Sequence, residues 1–309
     1  MKGFVRPLLA ALPLFLAGRL EAQRDVTGEF TSPAGDRHYV VRVPAGSEAS
    51  RRPLVLVLHG CAQDARQIAL GTGFSAAADS LNFLVLYPEQ PASINPAKCW
   101  RWFDPAHQAR GSGEPALLAE LTRAVSRQFG ADTARVFVVG ISAGAAMAVN
   151  LLATYPDLFA AGAAHSGVAY RAAEGIAPAL SVMKNGVPGG ALAEPPSMNA
   201  SAAPTRLMVL HGARDSVVAP INSEQLTRQW VRAVEKSRGE SLEAREYTTR
   251  LGGREARVRT FGNGRSVLVE SWLVRELGHA WSGGSLAGSY TDAAGPSARD
   301  LILRFFGLE

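Results

Sequence analysis

A chain of 309 residues, 47% of them hydrophobic and 19% charged, has enough apolar material for one large core, which excludes a disordered or low-complexity protein. Its formal net charge is +5, but Lys2, Arg6, Arg19 and Glu21 lie in a leader-like start and supply +2, leaving +3. That is too mild for a nucleic-acid binder.

The chain begins Met-Lys-Gly-Phe-Val-Arg, runs through the apolar stretch Pro7 to Ala17, and reaches Leu20-Glu21-Ala22. A charged start, a short apolar centre and a small residue at the cut make a secretory signal, with cleavage expected after Ala22. The stretch is too short to span a bilayer, and no later one is long enough. The expected mature chain, 23–309, is therefore a single exported domain, periplasmic or extracellular, without a membrane span or lipid anchor, acting as a monomer. Its two cysteines, Cys61 and Cys99, are expected to pair in an oxidising compartment. Such a bridge contributes roughly 4 kcal/mol in the chain-entropy model. Two thiols that merely pack are the alternative.

Arg37 to Val43 reads as an entry strand, and Leu54 to Leu58 as a central strand leading into His59-Gly60-Cys61. Asp64 to Asn82 reads as one alanine-rich helix and Phe83 to Tyr87 as a strand stopped by Pro88. A helix over Glu114 to Phe129 and a strand over Val136 to Val139 precede Gly140-Ile141-Ser142-Ala143-Gly144. The segment after Gly144 is helical up to Pro156. Ala160 to His165 and Leu207 to Leu210 are further strands, and Gly167 to Pro204 between them is an irregular excursion over the active edge. Ile221 to Ser237 is a helix, Tyr247 to Val269 forms hairpins, Val267 to Val274 is a strand, and Ser297 to Phe306 closes the chain as an amphipathic helix. The basic run Arg245 to Arg265 is interleaved with Glu246 and Glu255 and reads as a solvated hairpin. Helices alternating with apolar strands predict an α/β fold, a mostly parallel sheet with helices on both faces.

The pentapeptide at 140–144 fits the G-x-S-x-G turn between strand and helix, which holds a serine strained and exposed. Ser142 is thus the candidate nucleophile. A serine hydroxyl needs a base within hydrogen-bond reach, itself oriented by a carboxylate. Asp215, in the loop after the 207–210 strand, is the candidate acid, with a helix cap as the alternative. His279, in Gly278-His279-Ala280-Trp281-Ser282-Gly283-Gly284, is the candidate base. His38 and His107 come too early in the chain, while His59, His165 and His211 end strands. The amides of Ala143 and Cys61 are the expected oxyanion donors. No grouping of His, Cys, Asp and Glu has metal spacing, so neither a metal nor another cofactor is expected.

These residues resemble the secreted polyhydroxybutyrate depolymerase family, whose relatives include feruloyl and acetylxylan esterases within the α/β-hydrolase superfamily. The likeness runs from Arg37 to Gly284. It rests on His59-Gly60-Cys61-Ala62-Gln63, Tyr87-Pro88-Glu89-Gln90, Cys99-Trp100-Arg101-Trp102-Phe103, Arg110-Gly111-Ser112-Gly113-Glu114, Gly140 to Met147, Tyr155-Pro156-Asp157 and Gly278-His279-Ala280-Trp281. It implies an α/β-hydrolase fold with Ser142, Asp215 and His279 as nucleophile, acid and base. The chain departs from the family where Arg101 replaces Asn, Ala145 replaces Gly and Ser282 replaces Pro. No linker and binding domain is expected after the last helix, so attack on crystalline polymer is not expected.

Trp100, Trp102 and Trp281 lie beside the expected catalytic loops and are candidates to wall an acyl pocket, with core packing as the alternative. The expected activity is hydrolysis of short hydroxyalkanoate esters or polyester. The alternatives are a feruloyl or acetylxylan esterase, a serine peptidase using the same relay, and a binding module without turnover.

Overall fold

A computed structural model of the chain describes residues 22–46, 51–196 and 205–309. The expected leader lies outside these residues except for Ala22. The N-terminal strands β1 (Arg24–Ser32) and β2 (Gly35–Val43) form an antiparallel hairpin. β1 was not expected, yet it carries the signature of a strand covered on one face, with Val26, Gly28 and Phe30 turned inward and polar residues between them. Next come β3 (Arg52–Leu58), α1 (Ala65–Thr72), α2 (Phe74–Leu81), β4 (Leu84–Pro88), α3 (Gly113–Gln128), β5 (Ala131–Ile141) and α4 (Ala143–Thr154). The single helix expected over 64–82 is two: Gly73, at φ 70°, caps α1 in the left-handed conformation and starts α2 in a new direction.

Then follow β6 (Ala161–His165), α5 (Ile176–Asn185), β7 (Arg206–Gly212), α6 (Ile221–Arg238), β8 (Glu243–Leu251), β9 (Arg254–Gly262), β10 (Val267–Val274) and α7 (Ala298–Phe306). α5 corrects the expectation of an irregular excursion, since Ala179 and Val182 bury one side of a regular helix.

Ten strands form one sheet in the order β1-β2-β4-β3-β5-β6-β7-β10-β9-β8. The six from β4 to β10 run parallel, and an antiparallel pair flanks them at each margin. Successive side chains of a strand point to opposite faces, so β3 sends Leu54, Leu56 and Leu58 to one core and Val55 and Val57 to the other. The first core is closed by α3, α4, α5 and α6 through Leu118, Leu121, Leu152, Val182, Leu226 and Trp230. The second is closed by α1, α2 and α7 through Ile68, Phe74, Ile302, Phe305 and Phe306.

α4 is buried along its whole length, which explains why its sequence is apolar all round rather than striped. It therefore starts at a fixed point, where the parallel strands end.

Candidate active site

In a parallel sheet the loops after successive strands share one edge, and here those after β3, β5, β7 and β10 converge. The turn from β5 into α4 is sharp. Ser142 stands at φ 56°, ψ −120°, a conformation that costs an L-residue on the order of 1 to 2 kcal/mol. The turn is possible because its flanks are glycines. A Cβ on Gly140 would sit 2.2 Å from the Gly144 carbonyl oxygen, and one on Gly144 would sit 2.3 Å from that of Leu58. The strained turn is held in place by the Ser142 amide, which donates to the His165 carbonyl at 2.9 Å.

The loops after β7 and β10 are laced together. The amide of Ala213 donates to Val274 O and that of Arg214 to Leu277 O, both at 2.9 Å. This lacing brings Asp215 beside His279. One carboxylate oxygen, Oδ1, accepts the amides of Val217 (2.9 Å) and Val218 (2.8 Å), while Oδ2 accepts from His279 Nδ1 at 2.7 Å. A carboxylate only accepts, so Nδ1 carries the proton and Nε2 is free to accept. Ser142 Oγ donates to it at 2.9 Å. Burial alone would raise the Asp215 pKa. The hydrogen bond from His279, the nearby His279 and His211 rings and the Val218 amide outweigh burial and hold the carboxyl below its ordinary value, hence ionised.

The other histidines of this edge are structural. Burial pushes His165 down to about 3; its Nε2 accepts the Ser282 amide at 3.2 Å, and its ring stacks on Trp281. Burial also lowers the pKa of His211, whose Nε2 donates to the Val218 carbonyl at 2.8 Å. His59 is pushed down to about 4, chiefly by burial; its Nε2 accepts the Gln90 amide at 3.0 Å and its Nδ1 donates to Gly60 O at 2.7 Å. That bond braces the loop carrying Cys61. The Cys61–Cys99 bridge, with Cα atoms 4.2 Å apart, and an Ala62 amide bond to Ala97 O at 2.8 Å hold its far side.

Two further residues, not singled out in the sequence, fix these loops. Gln63 Oε1 accepts the Gly60 amide at 2.8 Å while its Nε2 donates to Ser289 O at 2.9 Å, tying loops 226 residues apart. Glu114 is buried and accepts from Gln90 Nε2 (2.5 Å), the Arg101 amide (2.8 Å) and Arg37 (3.2 Å), pinning the Cys99 loop. The motifs His59 to Gln63 and Arg110 to Glu114 contain these two residues, but their spacing gives no sign of the loops they join.

Ser142 stands between two cavities. One, of about 280 Å³, is walled by Trp102, Phe103, Val168, Ala179, Leu180 and Val218, with Cys61, Ala143 and the serine at its floor. The other, of about 230 Å³, is lined by Gly60, Gln63, Val217, His279 and Tyr290. Ala143 opens α4, so its amide lacks an intrahelical partner, and it lines the serine's cavity together with Cys61. Of the three tryptophans expected to wall an acyl pocket, Trp102 lines the larger cavity. The other two are corrected to core residues. Trp100 is fully buried, its indole donating to His59 O at 3.0 Å, and Trp281 packs between His165 and Phe74. Among the described residues no group of three or more His, Cys, Asp or Glu side chains is arranged to hold a metal ion. No described helix is long and apolar enough to cross a membrane.

The sheet order and the serine turn between β5 and α4 define an α/β-hydrolase. A family model described as esterase PHB depolymerase matches residues 37–244, and the chain belongs to that family of ester hydrolases. It is 31% identical to poly(3-hydroxyalkanoate) depolymerase C of Paucimonas lemoignei, over 89% of this chain and 66% of that protein. To feruloyl esterase B of Neurospora crassa it is 28% identical over 98% of both chains. The structure of an acetyl xylan esterase from Aspergillus awamori shares the fold, with a TM-score of 0.69 at 21% identity, covering 94% of this chain and 100% of that one. The chain thus spans just under two thirds of the depolymerase and nearly all of the feruloyl esterase.

Proposed function

We propose that the chain is an exported serine carboxylesterase that hydrolyses short hydroxyalkanoate esters or soluble polyester through an acyl-enzyme on Ser142. The observation that carries this reading is the hydrogen-bonded chain from Ser142 through His279 to Asp215, opening onto an apolar cavity. His279 takes the serine proton as Oγ attacks the ester carbonyl, and Asp215 holds the ring and balances its charge. The amides of Ala143 and Cys61 receive the oxyanion; losing one such donor typically costs about 3 kcal/mol of transition-state stabilisation. His279 then passes the proton to the departing alcohol, and a water activated by the same ring releases the acid.

Exposed Ile94, Ile176, Leu180, Val217, Leu286 and Tyr290 add apolar surface, most of it around the two cavities, suited to an aliphatic polyester rather than a polysaccharide. Export is the reading of the leader sequence. A feruloyl esterase is the second reading, favoured by the edge-to-face pair Trp102 and Phe103, 5.5 Å apart, in the larger cavity.

Purified mature protein assayed on hydroxybutyrate oligomers, methyl ferulate, acetylated xylan and peptide anilides decides among these. The highest kcat/KM is expected on the oligomers. Preference for methyl ferulate would move the assignment to the second reading, and preference for anilides would overturn both.

A further inference from the structure

The two cavities meeting at Ser142 are both apolar and share Cys61 and Met183, so it is acyl transfer itself that tells them apart. When Oγ bonds the carbonyl carbon, the bond to the alcohol oxygen breaks only as His279 returns the proton to that oxygen. The departing alcohol must therefore lie on the side that His279 lines. His279 lines the smaller cavity with Val217 and Tyr290, whereas Ala143 and the Trp102–Phe103 pair line the larger. Resting on the esterase reading above, we propose that the larger cavity is the acyl site and the smaller one the leaving-alcohol site. Leu180 then sets acyl length and Tyr290 selects the alcohol.

The acyl site holds about nine water volumes at ~30 Å³ each, so an acetyl group leaves most of it unfilled. It suits acyl groups of roughly six to ten heavy atoms, such as a single hydroxybutyryl or hydroxyhexanoyl unit or a benzoyl group. Leu180, on α5, can report on this wall because it is 60% exposed and replaceable without disturbing the core. α5 itself is fixed: Asn222 of α6 donates to the carbonyls of Val182 (3.0 Å) and Met183 (3.1 Å).

On the alcohol side Tyr290 is a built feature. It has a positive φ, 53°, unusual for an aromatic residue, and its carbonyl is clamped by the Trp281 amide at 2.8 Å. That clamp keeps the phenol side chain over the smaller cavity, 52% exposed.

The test uses p-nitrophenyl esters from acetate to decanoate, and hexanoate esters of alcohols from methanol to naphthol. Leu180→Trp should lower the hexanoate-to-acetate ratio of kcat/KM at least tenfold and slow deacylation after the burst. Tyr290→Asn keeps a residue that tolerates positive φ. It should change the naphthyl-to-methyl ratio at least fivefold, with acyl-length ratios and the deacylation rate following the wild type, because the alcohol has left before deacylation. If Leu180→Trp lowers the melting temperature, Ile176→Trp, at a 67% exposed position on the same wall, replaces it. Exchanged responses, or both variants answering to acyl length, would overturn the assignment. Ser142→Ala separates the two levels. If that variant is inactive while the ratios are exchanged, only the assignment of the cavities fails; turnover in it removes the esterase reading beneath.

Discussion

The edge carrying Ser142 and the wing formed by β8 and β9 belong to one sheet, yet they are built to different tolerances. At the edge, Ser142, Ser166 and Tyr290 line the two cavities and all have positive φ, and backbones pass so closely that a single methyl at Gly140 or Gly144 has no room. In the wing, no non-glycine residue of either strand has positive φ, and nearly every side chain of β8 is exposed. Positive-φ residues thus line the cavities where three side chains from distant parts of the chain meet. The strands of the wing keep ordinary backbone angles, although close approach recurs there: a Cβ on Gly262 would sit 2.3 Å from the Ser266 carbonyl oxygen.

That contrast can be broken or sharpened by graded substitutions. The largest effect is expected for Gly144→Val, whose first carbon would collide with the Leu58 carbonyl. A loss of more than about 4 kcal/mol is expected, with no soluble folded protein by circular dichroism. A folded, active variant would show that the close approach is not required. Asp215→Asn comes next: an amide in place of the orienting carboxylate favours the wrong imidazole tautomer. A fall in kcat of about 10⁴ is expected at a nearly unchanged melting temperature. A loss below tenfold would deny Asp215 its orienting role.

The buried histidines beneath the edge predict a pH effect of a few kcal/mol. Their ordinary value is 6.5, and burial pushes His59 down to about 4 and His165 to about 3. Unfolding therefore takes up protons below pH 6.5. Their contribution is complete above that pH and is lost as pH falls toward the folded values, by about 1.4 kcal/mol per pH unit for each ring. Urea midpoints measured from pH 8 to 5 should fall below pH 6.5; a flat series would mean that these rings are not held neutral. The smallest effect belongs to the wing. Arg245→Ser, on exposed β8, should shift stability by no more than about 0.5 kcal/mol and leave kcat/KM unaltered. A larger change would mean that the wing is coupled to the site.

What the sequence disclosed follows the same division. The β5–Ser142–α4 unit is local: its strand, its glycines and its all-apolar helix lie within two dozen residues and are legible together. Asp215 and His279 could be placed by their order along the chain, because the loops that end parallel strands must share an edge. The alternation of β1 is present in its sequence but is weak, with Gly28 at its centre, and the break at Gly73 is disguised by helix-forming residues on both sides. The positions of Trp100 and Trp281 were not legible. Each stands next to a loop of the candidate site in sequence, but the packing of Trp100 beside His59 and the stacking of Trp281 on His165 are long-range contacts that turn both inward. The Gln63 link to Ser289 likewise exists only after folding.

The most direct trial of the central claim is to stop the esterase with an organophosphate ester and map the adduct by mass spectrometry. One equivalent bound at Ser142, with loss of activity in proportion to labelling and no labelling of Ser142→Ala, is the predicted result. Complete inhibition with the adduct on another residue, or ester turnover persisting in Ser142→Ala, would contradict it.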